Sequence, residues 1–160
     1  MKSILEQNGG FFIEFEMLAE MENALQQLFA SGAIVIIATM ARSCGKRLCQ
    51  KLRKSLSVEE TLEKLCETLG GWNWGELNFS NVDTELGIGK FLVRNSFEAR
   101  VKKAGGNIGC HFLSNFMAGF LSELFGENVA VKERRCASWE GRICEFDFKR
   151  LATVSRSDDR

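Results

Sequence analysis

Proline and tyrosine are missing from this 160-residue chain, and histidine occurs once. Without proline, no helix interior loses a backbone donor or meets the ring clash that breaks helices. Without tyrosine, the thirteen phenylalanines present large apolar rings with no hydroxyl to hydrogen-bond. Such a set suits an oily pocket or a Phe-rich core, where buried aromatics usually go. Net charge is lacking too: 21 Lys and Arg balance 21 Asp and Glu. That excludes the global field which steers proteins toward nucleic acid or an anionic membrane. The longest apolar run, Ala33 to Ala41 with Thr39 inside it, falls far short of the roughly 20 residues of a spanning helix. Met1 to Gly10 contains no apolar segment of signal-peptide length, so the six cysteines are expected in a reducing cytoplasm and not in disulfides.

At this length and with 45% hydrophobic residues, the chain can bury one ordinary core. One domain over residues 1–152 is expected, followed by a polar tail, 153–160. After a short apolar lead-in at Phe11 to Phe15, the apolar residues Met17, Leu18, Met21, Ala24, Leu25, Leu28 and Phe29 recur at three and four, which predicts an amphipathic helix. A second helix from about Ala33 to Leu52 is apolar nearly all round at first and basic at its end, where cations suit the helix dipole. Ile34, Val35, Ile36 and Ile37 need cover on every side, which predicts packing against a second copy of the chain. Ser57 with Glu60 forms a capping-box signature, and Gly70 and Gly71 are expected to end the third helix.

Short segments follow. Trp72 to Ser80 and Ile88 to Asn95 read as antiparallel strands, with Gly75 in a bulge that re-aims Trp72 and Trp74. Ser96 caps a single turn, Phe97 to Lys102. Ala104 to Gly109 is glycine-rich but lacks the Gly-Lys-Ser/Thr ending of a phosphate cradle. His111 to Phe125 is helical and Gly126 stops it. Val129 to Arg135 and Arg142 to Lys149 alternate as strands joined by a hairpin turn at Trp139 to Gly141.

Chemistry gathers in that last third. Val129, Val131 and Glu133 share a parity, so valines facing the core would take Glu133 with them, and an unpaired buried carboxylate is expensive. Cys144 lies on the apolar face of the opposite strand with Phe146 and Phe148. Cys136 has the wrong parity unless one bulged residue separates it from Glu133. Cys110 sits at a helix start, where free amides and the dipole favour a thiolate. Three sulfurs and one oxygen make a four-coordinate zinc site, with His111 as reserve ligand or as a polar tip in a pocket. The same residues also fit three buried thiols and a glutamate on a solvated edge. Cys44, Cys49 and Cys66 read as small core residues.

The run Cys110-His-Phe-Leu, the Phe116 to Phe125 helix with Gly119 and Gly126, Val129-x-Val-x-Glu133-x-x-Cys136 and Gly141-x-x-Cys144-x-Phe together resemble the 4-vinyl reductase domain family. The resemblance is strong over the last forty residues and looser back to about residue 15. That family includes small hydrocarbon-binding proteins and the sensor domain of phenol-responsive transcriptional activators. In those sensors zinc is held by Cys, Glu, Cys and Cys at matching spacing, which implies zinc on Cys110, Glu133, Cys136 and Cys144. The implied fold is α+β, helices on a four-stranded antiparallel sheet, shared with Golgi transport-particle subunits and a haem nitric-oxide-associated family. It also implies a homodimer through the N-terminal helices and an apolar cavity.

The leading functional expectation is a non-enzymatic domain that binds a small apolar molecule, with a structural zinc and no catalytic residues. Its cavity is expected between the helix bearing His111, Phe112, Phe116 and Phe120 and the sheet bearing Trp74, Phe91 and Val131. The alternatives are an enzyme or enzyme subunit reducing a vinyl group on an apolar or tetrapyrrole substrate, and a scaffold subunit. Neither nucleic acid nor membrane is an expected partner.

Overall fold

The computed structural model describes residues 14–105, 109–138 and 142–151. The lead-in at 11–13, the middle of the glycine-rich loop at 106–108, the hairpin turn at 139–141, the N-terminal segment at 1–10 and the tail at 153–160 lie outside the described residues. Three helices come first: α1 (Phe15–Phe29), α2 (Gly32–Arg53) and α3 (Val58–Gly71). The strands β1 (Glu76–Asp83) and β2 (Ile88–Arg94) follow, then α4 (Phe97–Gly105), α5 (His111–Phe125), β3 (Val129–Arg135) and β4 (Ile143–Arg150). The strands form one antiparallel sheet in the order β1-β2-β4-β3. Helices over a four-stranded antiparallel sheet is the architecture that the resemblance implied.

Local chemistry explains several element ends. Ser57 caps α3 with a reciprocal capping box: its hydroxyl accepts from Glu60 N, and the Glu60 carboxylate accepts from Ser57 N. Gly126 closes α5 in the left-handed region, at φ 73°. The end of α3 differs from expectation. Gly70 and Gly71 remain in the helix, and Asn73, at φ 60°, makes the left-handed turn that ends it. The strand therefore starts late, at Glu76, and Trp72 and Trp74 sit on the connection between α3 and β1 instead of on the strand. Gly75, at φ 131°, is that connection's exit and not a bulge; a Cβ there would lie 2.7 Å from the Arg94 carbonyl oxygen. The irregularity in the first hairpin falls between Ser80 and Asp83. α4 also runs past the single turn expected, to Gly105.

The core lies between the inner sheet face, carrying Leu77, Phe91, Val93, Cys144, Phe146 and Phe148, and the helices above it. α5 is the central helix, buried along Leu113, Phe116, Met117, Phe120, Leu121 and Leu124. α2 packs most heavily on it. The two helices cross at glycines: a Cβ on Gly45 would lie 2.0 Å from the Phe116 carbonyl oxygen, and one on Gly119 would lie 2.1 Å from the Arg42 carbonyl oxygen. Cys49 is buried in this interface, whereas Cys44, five residues earlier, is exposed and not the core residue expected. A five-residue step turns a side chain by more than a third of a circle, so one burial does not carry to the other. Among the described residues, no helix is long and apolar enough to cross a membrane.

Candidate metal centre and aromatic pocket

Cys110, Glu133, Cys136 and Cys144 converge, with one ligand atom from each lying within 4.8 Å of all the others. Cys110 is the N-cap of α5, and its side chain turns into the cluster instead of capping. Glu133 and Cys136 arrive on the same side because the pairing of β3 with β4 shifts by one residue. Glu133 lies opposite Phe146 and Arg135 opposite Glu145, which leaves Arg134 as the extra residue. This is the bulge that the parity argument required. Arg134 points away and pairs with Asp147 at 2.6 Å on the outer face.

The Cys110 sulfur lies 3.7 Å from both the Cys136 and the Cys144 sulfurs. Glu133 Oε2 accepts from Cys110 N at 2.8 Å. Its other oxygen, Oε1, is buried and has no hydrogen-bond partner, an arrangement with a real cost unless a cation takes that lone pair. Burial pushes the Glu133 carboxyl up to about 7. The sulfurs share their protons unevenly. The contact between the two sulfurs holds Cys110 well above the ordinary thiol range and brings Cys136 down to about 4. The helix dipole alone thus does not make Cys110 a thiolate. More donors surround the sulfurs: Ser138 Oγ is 3.0 Å from the Cys136 sulfur, Ala137 N donates to Cys144 at 3.4 Å, and Ser96 Oγ is 3.8 Å from Cys110. Four converging donors of this kind could hold a metal ion. His111 is exposed at the start of α5 and is not among the converging groups. Burial pushes the Cys49 and Cys66 thiols up to about 11, so both stay protonated near neutrality.

The residues proposed for a pocket fall into two aromatic groups. Trp74, half-buried, rests on Phe97, Phe112 and Phe116 with ring centroids 5.0, 5.7 and 5.0 Å away. Phe91 stacks on Phe146 at 4.6 Å and meets Phe79 at 5.8 Å. Phe120 is fully buried, and Val131 is half-buried against the same core. Trp74 thus joins the helix side from a loop and not from the sheet. An open groove of about 520 Å³ beside the crossing of α2 and α5 is lined by Arg42, Ser43, Lys46, Ser122, Glu123 and Glu127 among others. Its lining residues are polar side chains and glycines and include none of the predicted pocket residues.

Sequence reasoning missed one buried charge near the cluster. Glu98 on α4 is 2% exposed, and its two oxygens accept from Phe112 N at 3.0 Å and Leu113 N at 2.8 Å. Its position in a first helical turn was visible, but nothing local in the sequence pairs it with a helix that starts beyond the glycine-rich loop.

Residues 90–150 match the 4-vinyl reductase domain. That segment contains all four converging residues and bears out the resemblance to this family. No functionally curated protein matches the chain in sequence. Solved structures do match across nearly its whole length. The phenol-responsive sensory domain of the transcription activator PoxR, with phenol, has a TM-score of 0.75 at 19% identity, covering 91% of this chain and 78% of that one. A trafficking protein particle complex subunit 3 from Naegleria fowleri, covalently bound to palmitic acid, has a TM-score of 0.59 at 12% identity, covering 86% and 95%. A vinyl-4-reductase family protein from Methanocaldococcus jannaschii has a TM-score of 0.56 at 18% identity, covering 89% and 98%. At these identities the likeness establishes a shared fold.

Proposed function

We propose that the chain is a non-enzymatic domain that binds a small apolar molecule and is pinned by one structural zinc on Cys110, Glu133, Cys136 and Cys144. The observation that carries the metal is the spacing of the donors. In a tetrahedral site with Zn–S near 2.3 Å, sulfurs stand about 3.8 Å apart, and Cys110 stands 3.7 Å from each of its two neighbours. The buried, unpartnered Oε1 of Glu133 supplies the fourth donor. Four protein ligands fill a tetrahedral shell, which is the closed, structural kind of site. Zinc there would tie the start of α5 to the β3–β4 hairpin. Elemental analysis of unoxidised protein should find one zinc per chain. Cys144→Ser should lower both the stoichiometry and Tm, whereas Cys44→Ser and Cys66→Ser should leave the stoichiometry unchanged. Three substitutions behaving alike, or metal-free protein, would reduce the site to a thiol cluster.

The ligand reading rests on the match to the 4-vinyl reductase domain and on what two fold neighbours carry, phenol in one and a palmitoyl chain in the other. In this chain the apolar site would lie among Trp74, Phe91, Phe112, Phe116, Phe120 and Val131, with His111 at its mouth. Trp74 is flanked by Asn73 and Gly75, both at positive φ, so its ring is carried by a loop and not fixed in the sheet. A scaffold role is the second reading, favoured by the direct contact between Trp74 and the rings beneath it. Solvent extraction of purified protein followed by mass spectrometry separates the two: a stoichiometric co-purifying apolar molecule supports binding.

A further inference from the structure

We infer that Glu98 is a positioning residue of the metal centre: it caps α5 in place of Cys110 and so releases the Cys110 sulfur to serve as a ligand. This rests on the metal reading above. A helix leaves its first amide groups without intrahelical partners, and the N-cap side chain ordinarily accepts from one of them. Cys110 occupies that position in α5 and makes no such bond, because its sulfur faces Cys136 and Cys144. Two carboxylates from elsewhere take over. Glu133 accepts from Cys110 N, and Glu98 accepts from Phe112 N and Leu113 N, one with each oxygen. A carboxylate only 2% exposed is costly to bury unless its oxygens are satisfied, and the positive end of α5 does so here. Ser96, 1% exposed and two residues earlier, places its hydroxyl 3.8 Å from the Cys110 sulfur. The turn that opens α4 therefore meets both the Cys110 sulfur, through Ser96, and the first amides of α5, through Glu98. Residues behind metal ligands commonly set affinity through such contacts.

The test is cobalt titration of the full chain, read by chelator competition and by the thiolate-to-cobalt absorption band, with Tm of the metal-free protein measured alongside. Glu98→Gln keeps the size but puts an amide N–H₂ against backbone donors. It should weaken cobalt binding by about tenfold or more and shift the band. Ser96→Ala, a smaller change, should shift the band through the loss of its contact with Cys110. A Glu98→Gln protein that loses Tm while binding cobalt with wild-type affinity and spectrum would make Glu98 a helix cap and nothing more. Should Glu98→Gln not fold, Ser96→Ala decides: an unchanged band overturns the inference. Wild-type protein that takes up no cobalt would overturn the metal reading itself, which separates that failure from this one.

Discussion

Glu133 shows how one carboxyl changes its meaning with its partner. Burial raises it from 4.5 to about 7, so in the metal-free protein its contribution to stability is full below about pH 4.5 and is lost as pH rises through about 7. Cys136 has the opposite sign. With its value lowered from 9.0 to about 4, its contribution is full above about pH 9 and is lost as pH falls through about 4. Over the middle of the range the two slopes oppose each other. A divalent ion takes only the ionised carboxylate, so its binding must expel the Glu133 proton wherever that proton is still held. Metal affinity measured by chelator competition should therefore fall as pH is lowered from about 8 to about 6. Glu133→Gln should bind more weakly throughout and with a shallower slope. Parallel slopes in the two proteins would show that the expelled protons come from the thiols alone.

At the scale of elements, the crossing of α2 and α5 decides where the helix that opens at Cys110 sits. Its glycines are there for close approach and not for backbone freedom, since a Cβ on Gly45 or Gly119 would overlap the facing carbonyl. Gly45→Ala and Gly119→Ala should each lower stability by about 1–3 kcal/mol, as overpacked core sites do. Gly70→Ala should raise it by about 0.5–1 kcal/mol, because a Cβ there meets open space in a helix. Thermal unfolding of the three variants checks this, and a common sign for all would refute the steric account. Helix periodicity made the long elements legible, and strand parity made the bulge between Glu133 and Cys136 legible, because both rest on local repeats. Trp74 was misplaced because whether Asn73 or a neighbouring glycine makes the left-handed turn is settled by packing, and that choice moves the strand start past the tryptophans. Glu98 stayed hidden for a related reason: its partners lie on another helix, and no periodicity links them.

On the scale of the whole molecule, the N-terminal helices present an apolar surface that the other described residues do not cover. α1 exposes Met17, Met21, Leu28 and Phe29, and the first turns of α2 expose Ile34, Val35 and, further on, Met40, with Leu28 at 76% and Val35 at 66%. Ile37 and Ala33 on the inner side of α2 are buried within the chain, so the apolar girdle there divides into a face already packed and a face still open. Exposed apolar patches of this kind mark association surfaces. A two-fold partner of the same sequence presents the same patch and meets it self-complementarily. We expect a dimer in solution with a mass near twice 18.0 kDa. A stable one buries roughly 800 Å² on each partner, an area that two helices side by side can supply. Val35→Glu combined with Leu28→Glu places two charges in that interface from each copy, and desolvating them unpaired should convert the protein to monomer. Light scattering at micromolar concentration checks both states. Because the four candidate ligands lie just before α5, on β3 and just past its end, and on β4, the monomeric variant should keep the metal stoichiometry of the wild type. A wild-type protein that scatters as a monomer would leave these helices as a surface for a different partner.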